Sequence, residues 1–167
     1  MFDEFGIMRQ QIDTGGLSFM EIRRKDKYYV DKSMLIGDIL SSNDSGVYLF
    51  TRPRRFGKTT NLTMLDAFFN IEYKGNTWFD GLEISNHPEF DSYRNAFPVI
   101  NLNLKNTKSD DFESYVADLK DALNMTFDRF RYLMKSDLVY DDEKETFDKV
   151  IWGTIPTENI SRCIPLL

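Results

Sequence analysis

The chain has one cysteine and one histidine in 167 residues, and no apolar run that approaches the length of a membrane span. With Cys163 alone, no internal disulfide can form, which fits a reducing compartment. His87 and Cys163 are too few and too distant for a zinc site, and spacing gives His87 no nucleophile to activate. His87 therefore reads as a loop residue before Pro88, and Cys163 as a buried, inert thiol on an apolar edge. An excess of positive charge is lacking too. Lys and Arg total 21 against 27 Asp and Glu, a net charge of -6, which argues against a general nucleic-acid coat. The opening MFDEFGIMRQ is acidic and has no apolar stretch of the signal-peptide kind. A soluble, cytoplasmic protein is the expectation.

What is present is globular. Hydrophobic residues make up 41% and aromatics 14%, with 14 Phe, so most of the chain has enough apolar surface to fold. The length suits one domain with a real core. Residues 1–27 read as an N-terminal arm broken at Gly15-Gly16, with Phe19 and Ile22 packing on the core. Residues 28–167 read as the domain itself. Tyr28-Tyr29-Val30 is strand-like, Asp31 stands where a helix cap belongs, and residues 32–41 carry an apolar helical face. Val47 to Phe50 is a fully apolar run bounded by turn signals, as a buried parallel strand would be. A helix from Lys58 to about Asn70 is predicted next, then a loop-rich stretch over 71–96.

Phe97 to Leu104 alternates and predicts a second strand. Ser109 predicts the cap of a long helix, with Asp110, Asp111 and Glu113 at its positive end. Phe112, Val116, Leu119, Leu123, Phe127 and Phe130 form the expected buried stripe. Residues 135–149 read as acidic and exposed apart from Phe147. Pro156 onward reads as the start of another helix that stops with the chain, as in the front part of a longer protein. The order strand, helix, strand, helix predicts an α/β sandwich with a parallel sheet, incomplete in this stretch.

The segment VYLFTRPRRFGKTT (47–60) carries the chemistry. Strand, tight turn and helix N-terminus with a lysine and a hydroxyl form a phosphate-binding loop. Gly57 lets backbone N–H groups converge on a phosphate, Lys58 reaches the terminal phosphates, and Thr59 holds magnesium. The predicted nucleotide contacts are Arg55, Phe56, Gly57, Lys58, Thr59 and Thr60. Lys58 is the catalytic candidate, Thr59 the magnesium ligand, and ATP with Mg the cofactors. The glycine expected five residues before Gly57 is Arg52. Either the loop is degenerate, or Arg52-Pro53 makes a different opening turn. Arg52, Arg54 and Arg55 read either as a solvated basic loop or as contacts to phosphate, a protein partner or nucleic acid. Phe68-Phe69 and Trp78-Phe79 read as core, and no role for Lys32 or Ser33 is derivable.

YLFTRPRRFGKTTNLTMLDAFFN resembles the signature of the bacterial AAA-ATPase-like family, whose loop reads R-P-R-R-F-G-K-[ST]. YYVDKSMLIGDIL (28–40) is similar to that family's Y-V-D-K-[ST] and following helix. WFDGLEI (78–84) resembles its F-x-G-L-x-I, and FPVINLNL (97–104) its aromatic-P-V-I strand. The resemblance covers residues 15 to 105 and implies an ATP-binding P-loop domain. In that family an apolar strand ending in Asp-Glu lies further along, and many members carry a C-terminal nuclease-like domain of the PD-(D/E)XK type.

The local candidate for the acidic motif is Leu138-Val139-Tyr140-Asp141-Asp142-Glu143, whose apolar run is short for a central strand. Hydrolysis needs such a carboxylate. An ATPase is therefore the first expectation, with the adenine against the N-terminal arm. A non-hydrolysing nucleotide switch is the alternative, and a remnant without ligand the third.

Overall fold

The computed structural model describes residues 10–12, 16–42, 47–51, 53, 55–104 and 111–163. Ser18 opens the first helix, α1 (Phe19–Arg24). The Ser18 N–H donates to the Glu21 carboxylate (2.9 Å), and the Glu21 N–H donates to the Ser18 hydroxyl (3.3 Å). This reciprocal pair satisfies two donors that a helix start leaves open. One and a half turns do not hold by themselves. Packing holds them here, because Phe19 and Ile22 are buried as the sequence suggested. Arg23 adds two bonds, from Nε to the Trp78 carbonyl (2.7 Å) and from Nη2 to the Asp80 carbonyl (2.9 Å).

Helix α2 (Met34–Ser41) and helix α3 (Lys58–Phe69) start within two residues of their predicted positions. The α2 cap differs from expectation. Ser33 is the cap residue, and Asp31 Oδ1 accepts the Ser33 N–H (2.8 Å) in a turn of its own. Asp31 Oδ2 and Ser33 Oγ then accept the N–H groups of Glu83 (2.8 Å) and Ile84 (3.1 Å). The D-K-S turn is thereby tied to the G-L-E-I stretch. The loop-rich region folds into short turns, Ile71–Tyr73 and Glu83–Asn86, and a single helical turn, α4 (Phe90–Tyr93). Phe68 and Phe79 are core as expected, with Phe69 and Trp78 partly buried against it. Phe68 meets Phe79 edge-on at 5.3 Å, and tilted ring contacts join Phe68 to Phe90 at 5.6 Å and Phe79 to Phe19 at 5.0 Å.

The chain divides into two compact units, one up to Val99 and the other from Ile100. The second unit is built on α5 (Phe112–Arg129) and α6 (Asp141–Ile151), with turns at Arg131–Lys135 and Thr157–Arg162. Asp111 caps α5 by accepting the Ser114 N–H (2.8 Å), where the sequence pointed to Ser109; Ser109 and Asp110 lie outside the described residues. Leu123, Phe127 and Phe130 are buried on its inner face, while Phe112 is 74% exposed and leaves the stripe. Within residues 135–149 Phe147 alone is buried, as expected, and with Val150 and Ile151 just beyond it forms the inner face of α6, a helix the sequence reading did not assign. The Asn124 side-chain amide donates to the Ile151 carbonyl and joins the two helices. Cys163 is buried with its thiol pushed up by burial.

The predicted α/β sandwich with a parallel sheet is overturned. The described residues form helices and two isolated parallel bridges, Ile12 to Tyr28 and Asn70 to Phe97, and no sheet. Val47 to Phe50, expected as a buried strand, has no regular structure, and Val47 is fully exposed with Leu49 at 83%. Phe97 to Leu104 makes one bridge at its first residue, and the division between units falls inside it. A strand exists only through hydrogen bonds to a neighbour. The apolar pattern was readable, but the ladder it needs is not formed among these residues.

Candidate functional site

The turn before α3 is shaped by two left-handed residues. Arg55 has φ 68° and Gly57 has φ 76°, and Gly57 is the cap residue of the helix. No side chain caps α3 at this end. Such a turn leading into a helix aims backbone N–H groups outward, where the helix dipole favours an anion. Space does not require glycine here, since a Cβ on residue 57 would meet Lys32 Nζ at an ordinary 3.9 Å. The left-handed backbone favours it.

Beside this turn lies a cavity of about 620 Å³, lined by side chains of the first unit. Phe56 and Lys58, the residues on either side of Gly57, belong to its wall. Asn61, Leu62 and Leu65 of α3 form a second side, and Lys32 and Leu35 a third. Tyr48 and Phe50 of the apolar run complete it. Two ammonium groups beside an aromatic and aliphatic surface suit a ligand with an anionic end and a flat apolar end. The volume is in the range of small-molecule and cofactor sites.

Of the predicted contacts, Phe56 and Lys58 line the cavity and Gly57 sits between them. Arg55, Thr59 and Thr60 flank the turn without lining it, and Arg55 and Thr59 are exposed. The Thr59 carbonyl accepts the Thr63 hydroxyl (2.9 Å), and Thr63 Oγ1 accepts the Phe19 N–H (2.9 Å), so α1 is tied to the first turn of α3. Arg52 and Arg54 lie outside the described residues. The walls of the cavity come from Lys32 and the helices α2 and α3, together with Phe56 and the 47–50 run, and no residue of the N-terminal arm is among its described lining. Lys32, Leu35, Tyr48, Phe50 and Asn61 were missed as site residues. The Y-V-D-K-S resemblance was the one signal that touched Lys32.

Lys32 is held by its neighbours. Burial works against the Asp31 charge, but hydrogen bonds from the Glu83 and Ser33 N–H groups outweigh it and keep the carboxyl below the usual range. Asp31 stays an anion committed to backbone.

The acidic candidate at 138–143 has another role. Asp141, Asp142 and Glu143 form the first turn of α6, where negative charge suits the helix dipole, and the Tyr140 N–H donates to Glu143 (2.9 Å). Leu138 is 91% exposed, so no buried strand leads into these carboxylates. Among the described residues no three His, Cys, Asp or Glu side chains gather as a metal site.

No helix of the described residues is long and apolar enough to cross a membrane. No curated protein and no solved structure matches the chain. A family model described as a predicted AAA-ATPase matches residues 14–162, and the chain belongs to this AAA-ATPase-like family.

Proposed function

We propose that the chain binds ATP, with magnesium, through a variant Walker A loop at Arg55 to Thr60. The observation that carries this reading is the cavity walled by Phe56 and Lys58 on either side of the left-handed Gly57 cap. The family's description as a predicted AAA-ATPase supports a nucleoside triphosphate as the ligand. Backbone N–H groups of the turn and of the α3 N-terminus hold the phosphates. Lys58 neutralises the terminal phosphates, and Thr59 lends its hydroxyl to magnesium. Bound magnesium would draw charge from the phosphate oxygens. The apolar side chains of Leu35, Phe50, Leu62 and Leu65 shelter the base. A cytoplasmic location belongs to the same reading, and the lone buried thiol of Cys163 is consistent with it.

A second reading concerns turnover. Asp141 to Glu143 begin a helix instead of ending a buried strand. That observation favours nucleotide as a switch ligand for this stretch of chain, with Arg55 available to a partner. Phosphate release separates the two readings: sustained magnesium-dependent turnover, lost in Lys58→Ala, rejects the switch.

Binding itself is tested by thermal shift with Mg-ATP. At a hundredfold excess over Kd, the wild type gains about 2.7 kcal/mol of stability. Lys58→Ala loses most of that gain. No gain in the wild type, or an equal gain in the variant, sinks the proposal.

A further inference from the structure

Lys58 is not the lone cation at this cavity. Lys32, from the turn that precedes α2, also lines it, and its Nζ lies 3.9 Å from where a Cβ on Gly57 would stand. An ammonium group at that distance stands at the glycine of the phosphate turn. We propose that Lys32 is a second phosphate-binding cation of the nucleotide site, presented to Gly57 by the side chains of Asp31 and Ser33. The inference rests on the nucleotide reading above and adds a residue to it.

Three observations carry it. Asp31 and Ser33, on either side of Lys32, are not among the described cavity lining and accept the Glu83 and Ile84 N–H groups at 2.8 and 3.1 Å. Ser33 is fully buried and Asp31 also fixes the Ser33 N–H at 2.8 Å, so the backbone of residue 32 is anchored from both sides. Next, Lys32 is in no ion pair with a described residue, and Asp31, the nearest acid in sequence, is already committed to N–H groups. Finally, among the described residues the cavity wall holds two lysines and no acidic side chain, a charge balance that suits an anion at the Gly57 end. Two lysines from different elements that line one cavity can grip a polyphosphate that spans them. The alternative is a lysine whose stem merely covers Leu35 and Leu62 while its head stays in water. Those two roles differ in what they do to phosphate-chain length.

The experiment measures equilibrium binding of ATP and AMP to the full chain. It compares wild type, Lys32→Ala, Lys32→Arg and Lys58→Ala over a range of salt. The proposal expects Lys32→Ala to weaken ATP about tenfold. AMP weakens far less, so the ATP-to-AMP ratio falls, and the salt dependence of ATP binding becomes shallower. Lys32→Arg retains most of the wild-type ratio because the charge remains. Lys32 is exposed, so the urea midpoint of each Lys32 variant stays at the wild-type value. An unchanged ATP-to-AMP ratio in Lys32→Ala overturns the role of Lys32, and binding by the wild type leaves the nucleotide reading intact. Equal weakening of ATP and AMP overturns it too, since that is the mark of lost packing. Failure of the wild type to bind ATP removes the nucleotide reading and this inference together.

Discussion

Tyr29 shows how much one side chain can do in this fold. Its ring meets Phe19 edge-on at 5.3 Å, and its hydroxyl donates to Met64 Sδ at 3.1 Å, linking the segment before α2 to the middle of α3. Burial disfavours the phenolate and, with Asp31 nearby, pushes the pKa up to about 12, against a smaller lowering by the Lys32 backbone. The unfolded chain ionises near its ordinary value of 10.0. A folded pKa above the unfolded one gives a contribution that is complete below pH 10 and is lost as pH rises toward 12. Stability measured by urea unfolding should therefore fall over that window, by on the order of 2 kcal/mol from this group. Tyr29→Phe should flatten the decline while costing little at neutral pH. An equally steep decline in Tyr29→Phe would mean that other groups drive it.

Helix α3 is the element on which the site depends, and its two ends are made differently. The N-terminal end carries the left-handed Gly57 and no capping side chain. The C-terminal end is closed by Asn95, itself buried at φ 52°. Its side-chain amide donates to the carbonyls of Ala67 (3.0 Å) and Asn70 (2.8 Å), and its backbone N–H donates to Phe68 (2.7 Å). Asn95→Ala strands those carbonyls and puts an alanine in a left-handed backbone, so a loss of about 2–3 kcal/mol is expected. Asn95→Gly restores the backbone freedom but not the bonds, and should lose less; chemical denaturation of both variants checks the order. The start of α3 was legible because Gly57-Lys58-Thr59 and the apolar positions after it are local signals. Asn95 was not, because nothing near it in sequence says which helix it will close. The same limit hid Lys32 and Tyr48, which reach the cavity through tertiary packing. It also misled at Val47 to Phe50, where an apolar run promised a strand but only a neighbouring strand could have made one. Helix α6 was lost for a different reason. Its acidic first turn read as solvated surface, although Phe147, Val150 and Ile151 already had helical spacing.

At the scale of the molecule, the two units have separate cores. Phe19, Phe68 and Phe79 centre the first, and Leu123, Phe127 and Phe147 the second. Every described residue that lines the candidate nucleotide cavity precedes Val99 and so belongs to the first unit. Phe147 is 3% exposed, and its ring centroid is 4.7 Å from that of Phe127, so its removal opens a hole that α5 and α6 cannot both close. Phe147→Ala should cost the second unit about 3–5 kcal/mol, and Ile155→Val about 0.5–1.5 kcal/mol in the same place. Hydrogen exchange read residue by residue should show faster amides in α5 and α6 of both variants, graded by those costs. Amides of α2 and α3 should keep their wild-type rates, and ATP should bind with unchanged Kd. If α3 exchanges faster in step with α6, the two cores unfold as one, and the cavity depends on residues that do not line it.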